Sequence, residues 1–405
     1  MFKRPNLVRL GLALSAFALA AAPALAQRQQ QQQWPVDPQS FSVIESAMTP
    51  PQAAAQAELL STALHALPPQ RPGVVDTYIL AASFWDDPVF EKEATEAASI
   101  LGRRYDASER TIVLSAGRGG GARTLPNSGP NNVQAAIGKI AATIDPREDL
   151  VVIFVTSHGA PDGTVAIQER GRLSGGLRPL NLRDALQQAG IQNKLVIVSA
   201  CFSGNFIAPF VSDANAAVLT AAAADRTSFG CEPQRDWTYF GDAFFNHSLR
   251  GGAGLTDSFN EALKLITKWE DDVHAKWAAL PSSQRQTQQE PQPSNPQDNV
   301  GDGVGALIAK AEAYGVAINC AGNLSFAIDR VKTSRPLKGL ADLNVLQAAK
   351  TKYETAAASE AGPRKRTAQE TARSIGAVAA STLQIFTAQP LDVTARVAHC
   401  VAPPG

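Results

Sequence analysis

Five apolar runs constrain this chain more than any other feature: "GVVDTYILAAS" (73–83), "RTIVLSAG" (110–117), "DLVVIFVTS" (149–157), "KLVIVSA" (194–200) and "AAVLTAAAA" (216–224). A strand covered on one face alternates apolar and polar residues, whereas a strand covered on both faces is apolar nearly throughout. These runs therefore predict parallel strands between two helical layers. The segments between them supply the helices. "DPVFEKEATEAASIL" opens on Asp87 and Pro88, which suit an N-cap and first turn, and its Phe90, Ala94, Ala97 and Leu101 share one face. "GPNNVQAAIGKIAATI" (129–144) repeats the pattern with Val133, Ile137 and Ile140, and "NLRDALQQAG" runs from Asn181 to a stop at Gly190. Strand and helix alternate, which is the signature of a layered α/β domain with a mainly parallel sheet.

The flanks have other characters. Residues 1–26 carry Lys3, Arg4 and Arg9 ahead of a short apolar run ending in Ala-Leu-Ala, the pattern of a cleaved export signal, which predicts a secreted or periplasmic protein. A Gln-rich leader (27–40) follows, then the main domain (41–280). Residues 281–299 are rich in Pro, Gln and Ser and read as a linker or exposed loop. Residues 300–405 are Ala-rich and helix-periodic, an α-helical appendage to the α/β domain. With 37 basic and 37 acidic residues the chain has no net field to draw nucleic acid or a membrane surface, so neither is expected as a partner beyond the export signal. Its histidines and cysteines lack metal-ligand spacing, so no metal or other cofactor is expected.

Two of the apolar runs end in reactive residues. "DLVVIFVTSHG" delivers His158 and Gly159, and "KLVIVSACFSG" delivers Cys201, 43 residues later, with a helical segment between. A right-handed strand–helix–strand crossover brings two such strands close, and α/β proteins build their sites at the carboxyl ends of the strands. A cysteine thiol is a poor nucleophile at neutral pH unless a base takes its proton, and an imidazole can do so and then protonate a leaving amine. The amides of Gly159 and Cys201 are candidate donors to a developing oxyanion. If Cys201 stays free, at most one disulfide forms among Cys231, Cys320 and Cys400; Cys320 with Cys400 is the preferred pair, since both lie in the C-terminal segment.

"FVTSHG" and "VSACFSG", with "AAADRTSFGCEPQRDWTYFGDAF" (222–244) downstream, resemble the legumain-type cysteine peptidases over roughly residues 73 to 270. The resemblance implies a caspase-like three-layer sandwich. It also implies a cysteine endopeptidase acting on peptides or proteins through a thioester acyl-enzyme, with His158 and Cys201 as the dyad. Ser199, Ser228 and Asp242 fall on positions that line the pocket for the residue before the scissile bond. The family asparagine that steadies the catalytic histidine maps to Asp87 or Pro88, depending on a one-residue gap, and Asp87 could take that role by accepting from the imidazole. Two family features are replaced: Ser199 stands where legumains have Glu, and "FWDDPVFEKEA" lacks the expected arginine. A pocket holding Asp242 without a counter-charge should favour a basic residue, with Asn second. Peptide ligation or transamidation through the same acyl-enzyme, and a silent binding scaffold, are the alternative functions. By analogy, the C-terminal helices are expected to inhibit the site until the chain is cut.

Overall fold

A computed structural model describes residues 44–45, 48–117, 124–169, 171–333, 342–388 and 393–401. The export signal, the Gln-rich leader and most of the glycine-rich run at 117–122 lie outside the described residues.

All five apolar runs form strands of one sheet: β2 (Thr77–Ser83), β3 (Thr111–Ser115), β4 (Leu150–Thr156), β7 (Lys194–Ser199) and β8 (Ala216–Thr220). They pair in parallel in the order β3-β2-β4-β7-β8, with Thr156 beside Ser199 at the carboxyl ends of β4 and β7. Every residue of β2, β4, β7 and β8 is buried, as strands covered on both faces require. One apolar layer gathers Ile79, Phe154 and Leu219 against α2 (Pro88–Arg104) and α5 (Leu255–Ala278). The other gathers Leu80, Ile153 and Val198 against α3 (Pro130–Ala141) and α4 (Pro179–Gln188). This is the layered α/β arrangement with a mainly parallel sheet that the apolar runs imply.

Three elements differ from the sequence reading. A hairpin, β5 (Val165–Glu169) and β6 (Leu173–Leu177), lies between β4 and α4 and pairs with the short β1 (Ile44–Glu45). An N-terminal helix, α1 (Pro50–His65), precedes β2. The 281–299 segment is not a free linker over its whole length, because β9 (Gln297–Val300) joins the sheet antiparallel to β8. A Pro/Gln-rich composition hides this strand: an edge strand needs its backbone to pair, not a run of apolar side chains.

The C-terminal region is helical, with α6 (Asp302–Thr333), α7 (Leu343–Ala361), α8 (Ala368–Ala388) and α9 (Val393–Val401). Its first helix also packs into the core of the α/β domain. Val304, Ile308 and Ala311 of α6 belong to the same apolar layer as α2 and the sheet. Gly315 lets α6 approach α2 so closely that a Cβ there would collide with the Arg104 backbone. Arg104 is fully buried, meets Glu312 at 2.9 Å and donates to the carbonyls of Leu249 and Ala253. Cys320 and Cys400 form a disulfide with Cα atoms 5.6 Å apart, and Cys201 and Cys231 are free. No described helix is long and apolar enough to cross a membrane.

Candidate active site

His158 stands two residues beyond β4, and Cys201 two residues beyond β7. Because β4 and β7 are adjacent and in register, both reactive residues emerge from one end of the sheet. Gly159 fastens the two loops together. Its backbone lies against Cys201 so tightly that a Cβ would collide with the Cys201 carbonyl. The close approach that glycine allows here is within the chain. Gly204 has the same use, since a Cβ there would meet the backbone of Ala223 and Ala224.

The turn after β7 is sharp. Phe202 holds φ at 57°, a left-handed conformation uncommon for a residue with a Cβ. Its amide donates to the Arg226 carbonyl at 2.7 Å, which draws residues 226–228 across the thiol. The Ser228 amide lies 3.3 Å from Cys201 Sγ and its hydroxyl 3.6 Å. Ser228 is thus placed beside the sulfur. Cys231 is the wrong thiol for chemistry: burial, with the neighbouring Cys201 and Glu93 adding to it, pushes its pKa far up.

His158 is clamped edge-on between Trp85 and Phe90, with ring centroids 4.9 and 5.0 Å away. Its Nε2 lies 3.8 Å from Asp87 Oδ2, and 38% of its side chain remains exposed. Asp87 occupies the N-cap position of α2 without capping it through its side chain, which leaves the carboxylate facing the imidazole. Burial pushes the His158 pKa below its ordinary value, and Asp87 pulls the other way. The imidazole is accordingly neutral at neutral pH, the form that accepts a proton.

The element that sequence reasoning missed is Glu93. It is completely buried on α2 and accepts hydrogen bonds from Thr156 Oγ1 at 2.8 Å, Ser199 Oγ at 3.0 Å and Thr238 Oγ1 at 2.9 Å. Thr156 and Ser199 lie two residues before His158 and Cys201, so one carboxyl ties the ends of β4 and β7 to the segment that leads to Asp242. Ser199 is therefore placed inward, donating to Glu93. A signal for Glu93 was available: it sits three residues after Phe90 and four before Ala97, an acid on the apolar face of the helix. Asp242 begins a π-helix (Asp242–Leu249), is 20% exposed, accepts from Asn246 Nδ2 at 2.8 Å and has His247 Nε2 at 3.5 Å. Gly241 before it makes room for Glu93, whose carboxyl a Cβ would overlap.

Burial raises the Glu93 pKa from 4.5 to about 7, against the three hydroxyl donors. A carboxyl whose folded pKa is raised favours the folded state fully below the unfolded pKa, and that contribution is lost as pH rises through about 7. A rise of that size corresponds to at most about 3 kcal/mol. Melting temperature is thus expected to fall between pH 5 and pH 8. Glu93→Gln is expected to flatten that slope, and an unchanged slope in the variant would assign the pH dependence to another group.

Among the described residues, the hydrogen bonds and ion pairs that join α6–α9 to the rest run to groups such as Arg71, Arg104, Asp106, Gly251 and Glu261. None reaches His158 or Cys201.

Residues 129–278 match the model of the Peptidase C13 family. No curated protein sequence matches the chain. Among solved structures, caspase-1 from Spodoptera frugiperda is similar at 12% identity, covering 58% of this chain and 89% of that one with a TM-score of 0.37.

Proposed function

We propose that this chain is a legumain-like cysteine peptidase, on the match of residues 129–278 to the Peptidase C13 family, and that His158 and Cys201 are its working dyad. The observation that carries the reading is the packing of Gly159 against Cys201, which joins the two reactive loops at one end of the sheet. Neutral His158 takes the thiol proton while Sγ attacks the scissile carbonyl. The amides of Gly159 and Cys201 face the resulting oxyanion, a contribution typically worth about 3 kcal/mol per donor. The imidazolium, held by Asp87, then protonates the leaving amine, and water resolves the thioester. Ser228 lines the pocket, Asp242 supplies its charge, and Ser199 positions the β7 end through Glu93.

The neighbours of Asp242 bear on specificity. His247 is its nearest basic group, and burial pushes that imidazole below its ordinary pKa, so it stays largely neutral at pH 7. Asp242 has no Lys or Arg in ion-pair contact among the described residues, which favours Arg or Lys before the scissile bond and Asn second. In a fluorogenic peptide library the Arg and Lys members are expected to be cleaved at least about tenfold faster than Asp members. Best cleavage after Asp or a bulky apolar residue would overturn the assignment. Labelling by an acyloxymethyl ketone is expected at Cys201 and not at Cys231. An unlabelled Cys201 would favour the silent-scaffold reading.

Peptide ligation uses the same acyl-enzyme, and product masses with and without an added amine separate it from hydrolysis. The signal at 1–26 and the Cys320–Cys400 disulfide together support an exported protein in an oxidising compartment, secreted or periplasmic. For the C-terminal helices we favour a structural role over self-inhibition, on the contacts of Arg104 and β9.

A further inference from the structure

Away from the dyad, α2 and the C-terminal helices enclose a cavity of about 420 Å³ that no step of the reaction above uses. Three arginines from three elements line it: Arg103 of α2, Arg250 after the π-helix and Arg396 of α9. Asn319 of α6 and Ser381 of α8 add neutral polar groups to its wall. The acids nearby are too few for three guanidiniums. Glu96 lies 3.5 Å from Arg250 but its side chain is 55% exposed, and Glu261, which acts on Arg396, also pairs with His399 at 3.4 Å.

The cluster bears the marks of unmet charge. Nε of Arg250 and Nε of Arg396 are buried without a hydrogen-bond partner. Burial lowers the pKa of both to about 10, with Arg103 adding to the effect on Arg250, and Arg250 to that on Arg396. A buried Nε–H with no acceptor is costly, and a bound anion offsets that cost while filling the donor fork.

We propose that Arg103, Arg250 and Arg396 form a binding site for an oxyanion of the phosphate class at the seam between α2 and the C-terminal helices. The three guanidiniums in the wall, of which Arg103 is exposed and also donates to Ser99 Oγ at 2.7 Å, outnumber its one carboxylate and suit a dianion better than a single carboxylate. The site draws on α2, α6, α8 and α9 at once, so an occupied site holds the C-terminal helices against the helix that carries Glu93. This inference stands apart from the peptidase reading, since binding is measured without turnover.

The test is isothermal titration of the full-length oxidised protein with inorganic phosphate, sulfate and glycerol phosphate at constant ionic strength. Saturable binding to one site per chain is expected, with a melting shift of about 2 °C at phosphate tenfold above its dissociation constant. A stronger response to glycerol phosphate would name a phosphate ester as the ligand, and an equal one the free anion. Arg250→Gln is expected to abolish saturation. Glu96→Gln removes the competing exposed carboxylate and is expected to tighten binding by up to about fivefold, so it decides the matter should Arg250→Gln fail to fold. Absence of saturation in the native protein, or affinity unchanged in both variants, would overturn the proposal.

Discussion

Replacing Cys201 by alanine is expected to lower peptide turnover by at least about a thousandfold, which is about 4 kcal/mol of transition-state stabilisation. Among the described residues no other thiol is placed to take over. The only other free thiol, Cys231, is held protonated by burial and is therefore a poor nucleophile. The loss should leave the fold alone, because Cys201 is only partly buried and its sulfur makes long contacts with Ser228. His158→Ala should cost about as much, and the double variant no more than either, since two groups that share one proton transfer fail as a unit. What remains is the stabilisation supplied by binding and the oxyanion amides. The measurement is initial rate on a basic peptide, with circular dichroism confirming the fold. Single variants within tenfold of the native rate, or a double variant that multiplies the single losses, would show that the two groups do not act together.

How much of this was visible beforehand follows from what each residue responds to. The five strands were legible because burial on both faces writes itself into consecutive residues, as in Leu150–Thr156. The meeting of His158 and Cys201 at one end of the sheet was legible because both residues follow such strands at once. Glu93 was not assigned, although its place on the helical face is plain, because its partners Thr156, Ser199 and Thr238 lie 63, 106 and 145 residues away. The left-handed Phe202 is harder still, since phenylalanine carries no turn preference and the conformation is imposed by the Arg226 carbonyl. The strand Gln297–Val300 is polar in sequence because it lies at the sheet edge, and pairing with β8 rather than composition makes it a strand. Long-range pairing, not local pattern, is the common cause of what was missed.

The same edge strand sets the second large effect. A chain ended near residue 280 is expected to be unfolded or insoluble rather than activated. Such a cut removes β9 and bares the backbone of β8 along Ala217–Thr220, an open edge that invites aggregation. It also strips Val304, Ile308 and Ala311 from the layer over the sheet, where loss of a single large aliphatic side chain costs about 2–5 kcal/mol. Finally, it leaves Arg104 without Glu312, and breaking a buried pair by removing one partner costs about 3–5 kcal/mol. Set against a typical total stability of about 5–15 kcal/mol, these losses exceed what a folded remnant can absorb. Cutting the chain within 281–291 while retaining both pieces is a different experiment, because β9, α6 and the disulfide stay in place. Its product should remain folded on gel filtration and keep the activity of the intact protein. A nicked form at least tenfold more active would restore self-inhibition by the C-terminal helices, and a soluble, cooperatively melting protein ending at 280 would show that those helices are not part of the core.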